Sequence, residues 1–255
     1  MIITLTTDFG LSDPFVGIMK GVILGITPDA RLVDISHNIR SYDITEAALV
    51  IESTYPYFPE GTVHIVVVDP GVGSARRPIA ALSHAQLFVA PDNGVLSTVL
   101  ENEAYHIQNS GLFLKSVSQT FHGRDIFAPV AAHLASGTPI ETVGTRILDF
   151  IKKPLPKPRR QGRKLVGNIL RIDKFGNVVT NVRRSDLGRD FTIRVAGRPI
   201  TRLCANFSEA EPGELFAVEG STGYIEIALN QASAADRLNV AGGAEIEVES
   251  DSANN

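Results

Sequence analysis

The sequence predicts an α/β N-terminal domain with a mostly parallel sheet, followed by a small all-β barrel domain. Three observations carry that expectation. In the first part of the chain, strand-like apolar runs alternate with segments of helical period, the pattern of a sheet with helices on both faces. The run Lys152-Lys153-Pro154-Leu155-Pro156-Lys157-Pro158-Arg159-Arg160 then breaks the period, and its prolines favour an extended linker. Beyond it, short strand-like segments are separated by glycine, proline and asparagine, as in a small barrel or sandwich. The expected division is residues 1–155 for the α/β domain, 156–163 for the linker and 164–249 for the barrel.

The elements follow in order. Residues 2–7 read as a strand. Phe15, Ile18, Met19, Val22 and Ile23 then recur at helical spacing, with Ser12 or Asp13 as cap and Pro14 at the first helical position. Residues 31–35 form a short strand. Ile44, Ala48, Ile51 and Tyr55 mark a second helix, ended by Pro56 and Pro59. Residues 63–68 are continuously apolar apart from His64, as expected of a strand buried on both faces. Residues 87–90 give another strand and 95–100 a short helix. Ile126, Val130 and Leu134 mark a further helix, stopped by Gly137. In the second part, strands are expected at 165–172, 191–195, 215–218, 224–229 and 244–249. The polar tail from Ser250 to Asn255 is expected to fray.

Bulk properties narrow the functional classes. The net charge of −4 gives no support for nucleic-acid binding. Cys204 is the only cysteine, which rules out an internal disulfide and the usual thiolate metal sites. The chain opens on a strand-like segment with no basic leader and no membrane-spanning apolar run, so a cytoplasmic location without membrane contact is expected. No Gly-Lys-Ser/Thr occurs, which excludes a P-loop.

Asp69-Pro70-Gly71-Val72-Gly73-Ser74-Ala75-Arg76 follows the buried strand directly. Ligands of open α/β sheets bind at the carboxyl ends of the strands, where this sequence places a carboxylate, a conformationally special loop and an arginine. Read alone, Asp-Pro-Gly is as well suited to a plain turn. It is not a dinucleotide fingerprint, because Arg76 stands where the third glycine belongs.

Three further stretches carry chemistry. Thr6-Thr7-Asp8-Phe9-Gly10, with Asp13 beyond, puts Asp8 at the end of the first strand. A carboxylate there can accept from both hydroxyls of a ribose; alone it reads first as a turn or cap residue. Phe121-His122-Gly123-Arg124-Asp125 sets a histidine before a helix between charges of both signs, with Asp125 equally suited to capping that helix. His122 ranks first among the six histidines as a functional residue; His64 and His133 read as packing or surface residues, and His37, His84 and His106 lie in or near loops without a charged motif. In Asp173-Lys174-Phe175-Gly176-Asn177, Asn177 can pair with an adenine edge and Phe175 can stack, although Gly176-Asn177 alone reads as a β-turn.

Taken together, these stretches resemble a known family. Thr7-Asp8-Phe9-Gly10, Asp34-Ile35-Ser36-His37, Asp69-Pro70-Gly71-Val72-Gly73-Ser74, Phe121-His122-Gly123-Arg124-Asp125-Ile126-Phe127-Ala128-Pro129, Asp173-x-Phe175-Gly176-Asn177 and Ser221-Thr222-Gly223-Tyr224-Ile225-Glu226-Ile227 occur in order. They are similar to the S-adenosyl-L-methionine hydroxide adenosyltransferases, hydrolytic relatives of fluorinase and chlorinase. The resemblance implies hydrolysis of S-adenosylmethionine to adenosine and L-methionine with no cofactor. It also implies a homotrimer whose sites lie between the N-domain of one subunit and the C-domain of the next. It assigns Asp69, Arg76 and His122 to water handling, Asp8, with Asp13 nearby, to the ribose, and Asp173 to the methionine ammonium. Asn177 and Phe175 fall to the adenine, Ser221 and Thr222 to the methionine carboxylate, and Phe207 to an aromatic contact.

Two alternatives stand beside this reading: a halogenase, and an adenosyl-ligand sensor without turnover. The halogenating branch is expected to carry serine where this chain has Gly123, tyrosine where it has Asp69, and an extra loop. A carboxylate at position 69 opposes halide binding by Coulomb repulsion. A sensor has no need of a water-handling triad. Which member of the triad acts as base is open at this stage.

Overall fold

The computed structural model describes residues 1–250. Residues 251–255, part of the tail expected to fray, lie outside them. The chain divides into two compact units, with the second beginning at Pro156.

The first unit contains β1 (Ile2–Thr7), α1 (Phe15–Ile26), β2 (Arg31–Ser36), α2 (Ile44–Thr54), β3 (Val63–Val67), β4 (Pro78–Ser83), β5 (Gln86–Pro91), β6 (Ala104–Ile107), α3 (Ala128–Ala135) and β7 (Gly144–Ile147). They build one sheet in the order β2-β1-β3-β5-β4-β6-β7. Side chains alternate across β3: Ile65 and Val67 join Met19, Ile23 and Phe127 on one face. Val66 and Val68 join Ala47, Ile51 and Phe88 on the other. Burial on both faces is why this segment is apolar apart from His64.

The pairings β1–β2, β1–β3 and β3–β5 are parallel, whereas β4–β5, β4–β6 and β6–β7 are antiparallel. The sheet is therefore mixed, which corrects the expectation of a mostly parallel one. Local chemistry explains the difference. The hairpin from β4 to β5 turns on His84 and Ala85, with φ of 51° and 57°, where glycine or asparagine is the usual signal. The helix expected at 95–100 is also corrected. That segment forms turns, with Ser97 N–H donating to the Gly94 carbonyl at 3.1 Å and Val99 N–H to the Leu96 carbonyl at 3.0 Å. The Asn93 side chain accepts from Val95 N–H at 3.1 Å, a local bond that competes with helix formation.

The second unit contains β8 (Arg159–Gln161), β9 (Lys164–Ile172), β10 (Val178–Arg183), β11 (Phe191–Val195), β12 (Arg198–Ile200), β13 (Leu203–Cys204), β14 (Leu215–Glu219), β15 (Tyr224–Leu229), α4 (Ala234–Leu238) and β16 (Glu245–Ser250). The sheet order is β12-β11-β16-β9-β10-β15-β14-β13, with β8 added beside β9. Only Thr201 and Arg202 separate the edge strands β12 and β13. Three peptide steps reach about 11 Å at most, so the sheet must curl. Ile169, Ile193, Ile200, Ile227 and Ile246 share the core inside that curl.

Two corrections concern this unit. It is not purely β, because α4 starts on a Ser233 cap and ends at Asn239 with φ 51°. The segment 156–163 is not wholly a linker, because β8 pairs with β9 through a turn at Gly162, φ +60°. The prolines stop at Pro158, which leaves every residue of β8 able to donate to a ladder.

Candidate active site

Asp69 follows the buried Val68 at the carboxyl end of β3. Gly73 has φ +75°, and a Cβ on it would come within 2.2 Å of the Gln119 carbonyl oxygen. Position 73 therefore requires glycine twice over, for its left-handed backbone and for the close approach to the segment that carries His122.

Arg76 folds back over this loop. Its Nε lies 3.0 and 2.9 Å from the two oxygens of Asp69, and its Nη2 touches both Asp69 Oδ2 and, at 2.8 Å, His122 Nδ1. The Asp69 and Arg76 side chains are only 5% and 8% exposed. The guanidinium carbon lies 5.2 Å from the centre of the Phe127 ring. Nη1 is buried without a hydrogen-bond partner among the described residues. A cationic donor in that state offers a site to an oxygen ligand.

His122 stands before a π-helical turn, Gly123–Phe127. Arginine only donates, so His122 Nδ1 accepts, and the neutral ring carries its proton on Nε2. Burial lowers the His122 pKa and the Arg76 charge lowers it further, against the opposing pull of Asp69 and Asp125. The ring is therefore neutral at pH 7. Asp125 is buried and accepts from Ser118 N–H at 2.8 Å and Arg124 Nε at 2.5 Å, which fixes the segment leading into His122. Gly123 faces Met19 Sδ and Phe121 Cε2, at 3.2 and 3.3 Å from where a Cβ would stand. A serine here would be crowded.

Asp8 leaves β1 at the same end of the sheet, since Thr7 pairs with Val67 of β3. Its Oδ2 accepts from Tyr42 N–H at 2.9 Å, and Tyr42 itself has φ 70°. Phe9 packs edge-to-face on Phe15 and Phe121, with centroids 5.8 and 6.1 Å away, and so joins the first motif to the histidine segment. Asp13 is exposed in the turn before α1. His37 is not an isolated loop histidine. It is buried, its Nδ1 meets Thr7 Oγ1 at 2.9 Å, and its Nε2 lies 3.0 Å from Asp34 Oδ1. Its carbonyl accepts from Gly10 N–H at 2.8 Å, so His37 holds the Asp8 segment on both sides. The Asp34-to-His37 spacing was visible in the sequence, but its tie to Thr7 was not.

In the second unit, Asp173 Oδ1 accepts from Phe175 N–H and Asn177 N–H at 2.9 and 2.8 Å, and Oδ2 accepts from Asn177 Nδ2 at 2.9 Å. The carboxylate thus holds its own turn. A cavity of about 520 Å³ is lined by Phe175, Asn177, Phe207 and residues 229–233. Phe175 and Phe207 are 76% and 48% exposed, so both offer ring faces for stacking. Ser221 and Thr222 are outside that lining, on the exposed turn between β14 and β15. Residues 230–233 had no functional signal in the sequence beyond that of a polar turn. Among the described residues, no cluster of three or more His, Cys, Asp or Glu side chains is placed to hold a metal, and no helix is long and apolar enough to cross a membrane.

Comparisons with known proteins agree with this division. Sequence models of the SAM hydroxide adenosyltransferase N-terminal and C-terminal domains match residues 3–144 and 167–247. An (R)-S-adenosyl-L-methionine hydrolase of Salinispora tropica is 38% identical, over 96% of this chain and 97% of its own length. A fluorinase of Nocardia brasiliensis is 31% identical over 97% of this chain and 96% of its own. That alignment runs to 288 positions against the 255 residues here, so the fluorinase has insertions that this chain lacks. The crystal structure of an uncharacterized conserved protein from Thermotoga maritima superposes with a TM-score of 0.88 at 39% identity, covering 98% of this chain and all of that one. With both domain models matched in order over most of its length, the chain belongs to the SAM hydroxide adenosyltransferase family.

Proposed function

We propose that this protein hydrolyses S-adenosyl-L-methionine to adenosine and L-methionine, by in-line attack of water on the ribose C5′. One observation carries the reading: in the Asp69–Arg76–His122 set, Arg76 Nη1 is buried without a hydrogen-bond partner among the described residues. A water oxygen is a fitting acceptor for that donor. In the reaction its oxygen bonds to C5′, the C5′–S bond breaks, and the electron pair returns to sulfur to give neutral methionine. The sulfonium needs no acid to depart. Arg76 stabilises the hydroxide-like oxygen, Asp69 and His122 orient the guanidinium, and the released proton passes to Asp69, whose carboxylate keeps an acceptor position beyond those that Arg76 fills. Holding water in line contributes about 7–11 kcal/mol in the best cases.

The remaining roles complete the proposal. Asp8 has one oxygen on Tyr42 N–H and the other for the ribose, with Asp13 nearby. Asp173 has used three acceptor positions on its turn, and a carboxylate offers about four, which leaves one for the methionine ammonium. Phe175, Asn177 and Phe207 receive the adenine, and Ser221 and Thr222 the methionine carboxylate. The nucleophile-handling groups belong to residues 1–155 and the adenine groups to the curled sheet, which we read as the barrel domain. We place each ligand between the first unit of one subunit and the second unit of another, in a homotrimer. No cofactor takes part, and the location is cytoplasmic.

Incubating the pure protein with S-adenosylmethionine, with and without chloride, tests the assignment by product mass. Adenosine and methionine in both cases are expected. A chlorinated nucleoside as main product would replace this reading with halogenation, and absence of turnover with tight binding would replace it with ligand sensing.

A further inference from the structure

In the first sheet β5 lies between β3 and β4. The loop with Asp69 and Arg76 must therefore cross over the carboxyl end of β5 to pass from one to the other. Asp92 and Asn93 follow β5 at that point, and they bind both stems of the crossing loop. Asn93 Nδ2 donates to the carbonyl of Val68, the residue before Asp69, at 2.8 Å. Asp92 N–H donates to the carbonyl of Arg77, the residue after Arg76, at 2.8 Å. Asp92 Oδ2 accepts from Arg77 Nε and Nη2 at 2.9 and 2.7 Å. Its Oδ1 accepts from Ile151 N–H at 2.7 Å, so the brace is itself anchored. The Asp92 side chain is 2% exposed.

We infer that Asp92 and Asn93 are positioning residues, which set the reach of Arg76 to Asp69 and His122 by clamping the loop at both stems. The inference rests on the hydrolase reading for its kinetic consequence only. Clamping matters because Arg76 spans two groups on different segments. The loop contains Gly71 and Gly73, which supply little stiffness of their own. A shift of about 1 Å in such a set costs up to about a hundredfold in rate. Asp92 and Asn93 touch neither the water nor the substrate in this account, so they act through Arg76 alone.

The test uses Asn93→Ser, which can still accept from Val95 N–H in a serine turn but cannot reach Val68, and Asp92→Asn, which keeps shape and loses the charge on Arg77. The ionisation of His122, which faces Arg76, Asp69 and Asp125, is followed by NMR of ¹⁵N-histidine-labelled protein, alongside kcat, KM and the melting temperature. Loosening Arg76 removes a cation from His122, so its pKa should rise by roughly half a pH unit or more. At saturating substrate, kcat should fall about tenfold or more with KM within about twofold. Folded variants with a lower melting temperature but the parental His122 titration and kcat would overturn the inference and leave a packing role. If either variant fails to fold, Arg77→Lys, which cannot reproduce the forked contact, is judged by the same two readouts. Should the parent not hydrolyse S-adenosylmethionine, the titration still decides the clamp independently of the hydrolase reading.

Discussion

Arg76 donates to His122 Nδ1 at 2.8 Å while the same guanidinium grips both oxygens of Asp69. The contact fixes the tautomer of the histidine and joins two loops that are 46 residues apart in sequence. A group that holds its neighbours this way cannot be changed singly without disturbing the whole set.

The first prediction follows from that coupling. Asp69→Ala, Arg76→Ala and His122→Ala should each lower kcat by about a hundredfold or more while changing KM far less, and double variants should fall little further. Asp69→Ala should also destabilise the fold by roughly 3–5 kcal/mol, because it leaves the buried Arg76 charge unpaired. Steady-state kinetics with denaturant unfolding checks both. Near-parental turnover in all three variants would remove the water-handling roles.

Position 123 gives a second prediction. Gly123→Ser introduces the residue expected of the halogenating branch into a space bounded by Met19 and Phe121. With Asp69 unchanged, the variant should lose stability and yield no chlorinated nucleoside in chloride. Mass analysis of the nucleoside product reads the outcome. A halogenated product from this single change would show that Asp69 does not exclude halide.

The cavity of the second unit gives a third. Phe207→Ala and Phe175→Ala each remove one aromatic face from its lining. A stacking contact is worth about 0.5–1.5 kcal/mol, so KM should rise about two- to tenfold with little change in kcat. Equal losses in kcat would place these rings nearer the reacting atoms than proposed.

A fourth prediction concerns acid stability. Burial drives His64 down from 6.5 to about 4, with the Gln86 contact opposing. Its ring bonds Thr4 Oγ1 and Gln86 Oε1, each at 2.7 Å. The unfolded chain takes up the proton near pH 6.5 and the folded chain only near pH 4. The stabilising contribution is therefore intact above 6.5 and is lost as pH falls between these values. The loss amounts to roughly 3 kcal/mol. Urea unfolding across this range should show the slope in the parent and a shallower one in His64→Gln. Identical slopes would assign the acid sensitivity elsewhere.

Assembly gives a fifth. If each ligand is shared between subunits, inactive Asp8→Ala chains mixed with inactive Asn177→Ala chains should regain part of the activity after dissociation and reassembly. Some interfaces would then carry neither substitution. Verified exchange without recovery, or an active monomer, would contradict the shared site.

How much of this was legible in the sequence depended on whether a feature was local. β1 and β15 announce themselves by mostly buried runs, and β11 by its buried Ile193 and Val195 alternating with less buried neighbours. The antiparallel half of the first sheet did not. β4 is rich in alanine and begins with proline, and its hairpin uses His84 and Ala85 in place of glycine or asparagine. Asp69, Arg76 and His122 could be named from their motifs, and the structure brings the three side chains together. Asp92 and Asn93 could not be singled out. Their partners Val68, Arg77 and Ile151 lie up to 59 residues away, and only the strand order places them under the loop. His37, just after β2, was part of a recognisable motif, but its bond to Thr7 at the end of β1 was not legible.

Isotope transfer tests the central claim most directly. With ¹⁸O-labelled water as solvent, attack at C5′ should put one solvent oxygen into adenosine and none into methionine, read by mass spectrometry of both products. Adenosine free of label, or label carried by methionine, would contradict water attack at the ribose and with it the role given to Asp69, Arg76 and His122.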